Sequence, residues 1–455
     1  MNLEGKKVLV VGLGKTGEAL SHFLLQKGAR VKISDKKEER ELGEKVHFWR
    51  QSGAEVETGK HELNSFFEAD LVIPSPGVPL LPELLAAKRK GVKIISEIEL
   101  AYRFLKGKIV GITGSNGKST TVTLTHKILK EAGLDAYLAG NIGNPLISFV
   151  ASSKDSHIYV TEISSFQLEH IECFRVPISV LLNISLDHLD WHASFTDYYE
   201  AKKKLILSQQ EDDVTVLNRD DSLVWTLAEG EKSRVYAFSQ KRKVPRGCFI
   251  KDGWIILRDK KEEKLMTISE IPLPGDHNRE NVMASALVGY LFGVSLSQMR
   301  ESIKSFEGLP HRLEKVTTLE GVDFVNDSKA TNVDATLKAL ESFNQKIIII
   351  LGGRDKGDDF RKLRKIVTRK VKKIILIGEA KEKIRDALEG TAAMDVASSM
   401  KEAVRSGFSA ASPGEMVLLA PACTSFDMFK NFEERGDIFK QEVLGLGRSL
   451  KKGMT

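Results

Sequence analysis

Cysteine is scarce. Three thiols in 455 residues, Cys173, Cys248 and Cys423, stand far apart with no CxxC pair, which excludes a disulfide framework and fits a reducing compartment. Long apolar runs are missing as well: none approaches the ~20 residues of a membrane span. The amino terminus, "MNLEGKK", leads through an apolar segment straight into a glycine turn with no small-residue cleavage site behind it, so a cytoplasmic protein is expected. No charge sign dominates. Lys and Arg number 68 against 62 acidic residues, and the net charge of +6 suits anionic small ligands without demanding nucleic acid. In the densest basic stretch, "FRKLRKIVTRKVKK", no aromatics are interleaved for base stacking. Phe360, Leu363, Val367 and Val371 recur there at helical spacing, which makes the basic residues the wet side of an amphipathic helix. Internal repeats and low-complexity segments are also absent.

What is present is ordinary globular composition, 42% hydrophobic and 29% charged. A chain of this length divides into about three domains at roughly 150 residues each. Apolar runs alternate with helical patterns: "KVLVVG", "VKISD", "DLVIPSPG" and "KIISE" in the first hundred residues, then "KIVGITG", "HIYVTEISS", "SVLLNIS" and "VTVLN", then "KIIIILGG", "KKIILIG" and "EMVLLAPA". Such βα alternation builds parallel sheets, so the fold class is α/β in three successive units, with boundaries near residues 96 and 308. "KRKVPRGCFIKDGWIILRDKKEEK" breaks the rhythm and reads as a small antiparallel excursion in the middle unit.

The turn in "VLVVGLGKTGEAL" spaces Gly12, Gly14 and Gly17 as a dinucleotide-binding turn does, with Asp35 where a ribose partner would stand. Any tight strand-to-helix turn favours the same glycines, so NAD and a plain turn both stay open here. "KIVGITGSNGKST" is more specific: a strand, a glycine-rich turn with Gly114 and Gly117, then Lys118, Ser119 and Thr120 opening a helix. Backbone amides and the helix terminus would wrap phosphates, Lys118 would reach the outer ones and Ser119 would ligate Mg²⁺, although Ile112 occupies the position of the first glycine in the strict GxxxxGK[ST] spacing. ATP is therefore the expected ligand. Glu162 ends the next strand, where an acidic residue meets the metal. Asp187 and His188 follow another strand and serve either Mg²⁺ or turn capping, while Lys202 to Lys204 read as a solvated helix face. Asn278 either caps a helix or reads an adenine edge.

In the third unit "NDSKATN" crowds Asp327, Ser328, Lys329 and Thr331 after a strand. "GGRDKGDD" carries Lys356 after another, and "APACTSFDMFKNFEERG" carries Ser425 after a third. All follow strand carboxyl ends, where open α/β sheets bind ligands, and Lys356 is placed to hold a carboxylate.

The stretches "GITGSNGKST", "TEISSFQLE", "LNISLDHLD", "GDHNRENVMAS", "GLPHRLE", "NDSKATN" and "PACTSFDMFKNFEERG" occur in the order seen in the Mur ligases of peptidoglycan synthesis, and the chain resembles that family over nearly its whole length. The resemblance implies a cytoplasmic, monomeric ATP-dependent amide ligase. It implies a Rossmann-like N-terminal domain for the UDP substrate (1–96), a central P-loop-type mononucleotide-binding domain for ATP (97–308) and a Rossmann-like C-terminal domain for the amino acid (309–455). The DNPR segment of diaminopimelate-adding relatives is absent, which favours the branch that joins D-glutamate to UDP-N-acetylmuramoyl-L-alanine through an acyl phosphate, with neither nucleic acid nor membrane as partner.

By the same resemblance the first glycine turn holds a uracil nucleotide rather than NAD. Leu13, Gly14, Lys15, Thr16, Asp35, Lys36, Ser75, Gly140 and Asn141 then form the UDP-substrate site. Gly114, Ser115, Asn116, Gly117, Lys118, Ser119 and Thr120 hold the ATP phosphates, Asn278 and Asn281 touch adenine, Arg312 and Asp327 close the ATP site, and Lys329 approaches the phosphates. Ser119, Glu162 and His188 arrange Mg²⁺, with Lys203 matching a lysine that the family carbamylates to ligate a second ion. D-Glutamate falls to Thr331, Lys356, Ser425 and Phe432. A ligase that joins glutamate to folate would not need the amino-terminal unit. An NAD-dependent dehydrogenase leaves "GSNGKST" unexplained, and a pure nucleotide-binding regulator leaves the third-unit loops without a role.

Overall fold

In the computed structural model, which describes residues 1–185 and 194–453, the expected alternation builds three sheets. The first has five parallel strands in the spatial order Glu55–Thr58, Arg30–Asp35, Lys7–Val11, Leu71–Pro74, Lys93–Ile94. Chain order reverses beside Lys7–Val11, and a crevice opens at such a reversal, outside the strand carboxyl ends.

The second sheet has nine strands. Ala136–Gly140, Ile158–Glu162, Lys108–Thr113, Ile178–Leu181, Val214–Asn218, Arg234–Ser239 and Gly247–Lys251 run parallel, with the phosphate-loop strand Lys108–Thr113 well inside. The antiparallel excursion expected in the middle unit is there, and it extends this sheet. Asp252 and Gly253, both at positive φ, turn Gly247–Lys251 back into Trp254–Arg258, and Glu262–Thr267 pairs antiparallel beyond it.

Residues 1–270 with 280–305 form one compact unit, and 271–279 with 306–455 form another. The first and second sheets thus share a unit, and the boundary expected at residue 96 falls against the helix Glu97–Tyr102. Two buried carboxylates on that helix tie the segments together. Glu97 Oε1 accepts the Ile147 amide at 2.6 Å, and burial pushes its carboxyl up to about 7 against the pull of the Ile147 and Leu146 amides. Glu99 Oε2 accepts the Glu172, Cys173 and Phe174 amides at 2.8, 3.0 and 2.8 Å, while its Oε1 takes Arg103 Nε at 2.8 Å.

The third sheet runs Glu314–Leu319, Val322–Asn326, Met416–Leu419, Ile347–Gly352, Val371–Ile377, Ala393–Val396, parallel except for the first pair. Ile347–Gly352 is buried throughout, as a strand covered on both faces must be. The basic segment expected to be one amphipathic helix divides. A 3₁₀ turn Phe360–Leu363 leads into the helix Arg364–Lys370, and Val371 already opens a strand. Phe360, Leu363 and Val367 are buried and Arg361, Lys362, Arg364, Lys365 and Arg369 exposed, so the two-sided character holds over its helical turns. Among the described residues no helix is long and apolar enough to cross a membrane.

Candidate functional site

The strand Lys108–Thr113 delivers the glycine-rich turn to the start of the helix Lys118–Glu131. Gly117 caps that helix at φ +87°, and a Cβ there would stand 2.3 Å from Asn281 Oδ1, so both backbone and space require glycine. The Lys118 ammonium folds back onto the carbonyls of Gly114 and Ser115, each at 2.8 Å. The loop is braced from the strand Ile178–Leu181, whose continuation supplies Asn183. Asn183 Oδ1 accepts the Asn116 amide at 2.8 Å, its Nδ2 donates to Asn116 O at 3.0 Å, and its own carbonyl takes the Ser115 amide at 2.9 Å. Tyr198, fully buried, places its hydroxyl 2.7 Å from Ser115 Oγ. Ser119 and Thr120 are buried at the helix start, and Asn281 Oδ1 accepts the Thr121 hydroxyl at 3.1 Å. Sequence reasoning missed both Asn183 and Tyr198.

Glu162 ends the strand beside the phosphate-loop strand, in register with Ile112 on one side and Gly140 on the other. Its carboxylate is 3% exposed. Oε1 accepts Asn141 Nδ2 at 3.1 Å, whereas Oε2 is buried with no hydrogen-bond partner among the described residues. A buried carboxylate oxygen left bare is costly unless a cation meets it. Among the described residues no group of three His, Cys, Asp or Glu side chains could hold a metal ion alone. The oxygens of Ser119 and Glu162 therefore fit Mg²⁺, which takes one or two carboxylates and completes its shell from phosphates and water. Asp187 and His188 lie outside the described residues.

Lys203 is corrected by the structure. On the helix Phe195–Leu207 it faces outward, pairing with Glu200 at 3.3 Å. Lys202 is the inward residue, 1% exposed, with its ammonium 3.0 Å from Gly114 O and 3.3 Å from Thr113 Oγ1. The reading of all three lysines as a solvated face fails for Lys202. Its signal was in the sequence: Tyr198, Ala201, Lys202, Leu205 and Ile206 form the buried face at helical period.

At the carboxyl edge of the first sheet a cleft of about 410 Å³ is lined by Gly14, Lys15, Thr16, Asp35, Lys36, Ser75, Gly140 and Asn141, together with Lys37, His61 and the Pro76–Pro79 turn. Of the residues assigned to the UDP substrate, only Leu13 is not in its wall. It is buried, and its amide donates to Asp35 Oδ2 at 2.7 Å. The three glycines of the turn differ. A Cβ on Gly17 would lie 1.9 Å from Gly12 O, whereas one on Gly14 would meet nothing within 4 Å. Gly17 serves close helix–strand approach and Gly14 leaves room in the cleft. Lys15 Nζ donates to Gly143 O at 2.6 Å.

In the carboxyl-terminal unit the three polar loops do converge. Asp327 N donates to Leu419 O at 2.8 Å, Ala422 N to Ala330 O at 3.0 Å and Gly352 N to Pro421 O at 2.9 Å. Arg435, fully buried, clasps two of them: Nε reaches Ser328 Oγ at 2.9 Å, Nη2 reaches Ser328 O at 2.8 Å and Nη1 reaches Cys423 O at 3.0 Å. Burial brings this guanidinium down to about 10. Burial also raises the Asp327 carboxyl to about 6, against the pull of Arg312, the Leu313 amide and Lys329. Arg312 Nε is buried without a hydrogen-bond partner among the described residues. The Lys329 ammonium sits 5.0 Å from the Phe432 ring centroid. Ser425 is buried, Thr331 half-buried and Lys356 exposed, while Asn278 Nδ2 is held by Pro274 O at 2.7 Å.

Residues 6–96 match the N-terminal domain of MurD-like Mur ligases, 112–289 the Mur ligase middle domain and 311–423 the Mur ligase glutamate ligase domain. The UDP-N-acetylmuramoylalanine--D-glutamate ligase of Acidobacterium capsulatum is 47% identical over 98% of this chain and 97% of its own length. The enzyme of the same name from Koribacter versatilis is 43% identical over 99% and 100%. Among solved structures, the UDP-N-acetylmuramate-alanine ligase MurC of Thermotoga maritima shares the fold at a TM-score of 0.59 and 19% identity, covering 98% of this chain and 99% of that one. A pseudomurein peptide ligase type C of Methanothermus fervidus does so at 0.60 and 20%, covering 97% and 99%. With all three of its domains matched in order and near full-length identity above 40%, this chain belongs to the Mur ligase family.

Proposed function

We propose that this protein is the ATP-dependent ligase that joins D-glutamate to UDP-N-acetylmuramoyl-L-alanine, acting as a cytoplasmic monomer in peptidoglycan precursor synthesis. The observation that carries the reading is the bare, buried Oε2 of Glu162 beside a phosphate loop, in a chain whose full-length relatives bear that ligase's name.

A carboxylate is a poor electrophile, and an amine cannot displace its oxygen unaided. The L-alanyl carboxylate attacks the γ-phosphorus of ATP, releasing ADP and forming an acyl phosphate; the D-glutamate amine then attacks the acyl carbon and inorganic phosphate leaves. Little covalent chemistry falls to the protein, whose task is positioning and charge stabilisation. Lys118 exchanges the Gly114 and Ser115 carbonyls for the γ-phosphate, and the amides of the glycine turn take the remaining oxygens. Mg²⁺, when bound, neutralises phosphate charge, and Ser119 and Glu162 are the described residues that would hold it. The carbamylated-lysine role passes from Lys203 to Lys202, whose end already reaches the loop. The 410 Å³ cleft takes the uridine nucleotide. Asn278 and Asn281 are assigned to adenine, Arg312, Asp327 and Lys329 to the phosphates, and Thr331, Lys356, Ser425 and Phe432 to D-glutamate.

Phosphate release from ATP should require both UDP-N-acetylmuramoyl-L-alanine and D-glutamate, and K118A should abolish it. Release that ignores the amino acid would overturn the reading.

A further inference from the structure

Asn141 stands at two sites at once. It lines the cleft at the edge of the first sheet, and it makes two hydrogen bonds to Glu162. Its amide donates to Glu162 O at 3.0 Å, and its side-chain Nδ2 donates to Glu162 Oε1 at 3.1 Å. The backbone that presents it is fixed. Gly140 takes φ +92°, and any Cβ there would stand 2.2 Å from Glu162 O. Gly140 N donates to Asn144 O at 2.9 Å, so residues 141–143 close as a tight loop against the strand end.

A carboxylate can rotate about its last bond, and with one oxygen engaged the other has a defined direction. Here the engaged oxygen is Oε1, and the oxygen with no partner among the described residues is Oε2. We propose that Asn141 is a positioning residue for the metal site: it holds Glu162 by Oε1 so that Oε2 is offered to the divalent cation. The hydrogen bond is charge-assisted and partly withdrawn from water, which makes it stronger than a neutral surface contact. The proposal rests on the reading of Glu162 as a metal ligand. It assigns Asn141 a task besides contact with the uridine substrate, and it makes one side chain common to the substrate cleft and the cation.

The test measures Mn²⁺ affinity in the full-length protein with ADP bound and no uridine substrate present, by electron paramagnetic resonance of free Mn²⁺. Side chains that orient a metal ligand typically contribute 10–100-fold to metal affinity. N141A is expected to raise the Mn²⁺ dissociation constant about tenfold, and N141L, which keeps the volume without the donor, should do the same. Asn141 is exposed, so both variants should stay folded at the assay temperature, with an unfolding midpoint lowered only by the loss of the single hydrogen bond to Glu162. Wild-type Mn²⁺ affinity in both variants, even with a raised KM for the uridine substrate, would reduce Asn141 to a substrate contact and overturn the proposal. E162Q separates the two claims. If it weakens Mn²⁺ while the Asn141 variants do not, the metal reading survives and the positioning role fails. If E162Q leaves Mn²⁺ untouched, both fail.

Discussion

Two neighbouring lysines should respond oppositely to replacement. Lys203 is 29% exposed and its Glu200 partner 51%, at 3.3 Å, so K203A removes a surface helix pair worth about 0.3–0.5 kcal/mol. Its unfolding free energy should fall by no more than that, and its kcat/KM should stay within about twofold. Lys202 is different: its ammonium lies 3.0 Å from Gly114 O and 4.8 Å from the centroid of the Tyr198 ring. K202M keeps an unbranched stem against that ring and removes only the charged end, which separates charge from volume. Even the outer partners of a metal ligand contribute about 10–100-fold in activity, so a lysine that, once carbamylated, would ligate the second Mg²⁺ should contribute at least about that much to kcat. K202M should lose that much. Phosphate release at saturating co-substrates gives kcat, and urea titration of the same preparations gives stability. Should K203A cost more than tenfold while K202M keeps over half the wild-type kcat, the inward placement of Lys202 would be refuted.

Four further replacements probe the frame. G17A should destabilise by at least about 1–3 kcal/mol, because its Cβ would press to 1.9 Å from Gly12 O; G14A should keep the thermal midpoint and raise KM for the uridine substrate, and equal destabilisation of the two would contradict their different surroundings. E99A strands the Glu172, Cys173 and Phe174 amides. Phe174 is buried whereas Glu172 and Cys173 are exposed to water, so at about 1–3 kcal/mol for one orphaned buried donor it should cost at least about 1 kcal/mol by urea titration, and no measurable loss would mean that the Phe174 amide finds another acceptor. Glu97 titrates near 7 in the fold against 4.5 as its ordinary value, so the native state holds its proton more tightly and the group's contribution is present below 4.5 and lost as pH rises to about 7. E97Q keeps an acceptor for the Ile147 amide and cannot ionise. Its stability relative to wild type should therefore rise by up to about 3 kcal/mol between pH 4.5 and 8, the slope being about 1.4 kcal/mol for each pH step of one between the two titration points. A pH-independent difference would place Glu97 in contact with water.

The strands that local pattern revealed are those buried on both sides, such as Ile347–Gly352 and Ile178–Leu181. Among the ones it passed over, Glu55–Thr58, Ala136–Gly140, Glu314–Leu319 and Ala393–Val396 are outermost strands of their sheets, whereas Arg234–Ser239, passed over as well, lies inside its sheet. An edge strand needs fewer apolar side chains and is disfavoured if it offers too many, so "EVET" at the first edge carries a single apolar residue, Val56. The same division runs through the site. Lys118 and Gly117 could be assigned from sequence because a phosphate cradle is made by consecutive residues, and its chemistry is written in one stretch of chain. Lys202 was within reach of helical periodicity and lost it only because three lysines in a row look alike until the buried face is counted. Asn183, Tyr198, Glu99 and Arg435 were beyond reach for a different reason. Each acts on backbone or hydroxyl groups 12 to 107 residues away, and nothing in its own neighbourhood distinguishes it from a solvated polar residue. Asn141 shows why this matters for function. Read alone in "AGNIGN" it is one more small polar residue of a substrate loop, and only the parallel register of Gly140 with Glu162 brings its amide to the carboxylate whose other oxygen has no partner. In this chain the residues that carry charge to the phosphates are local and legible, whereas the residues that aim those charges are chosen by strand register.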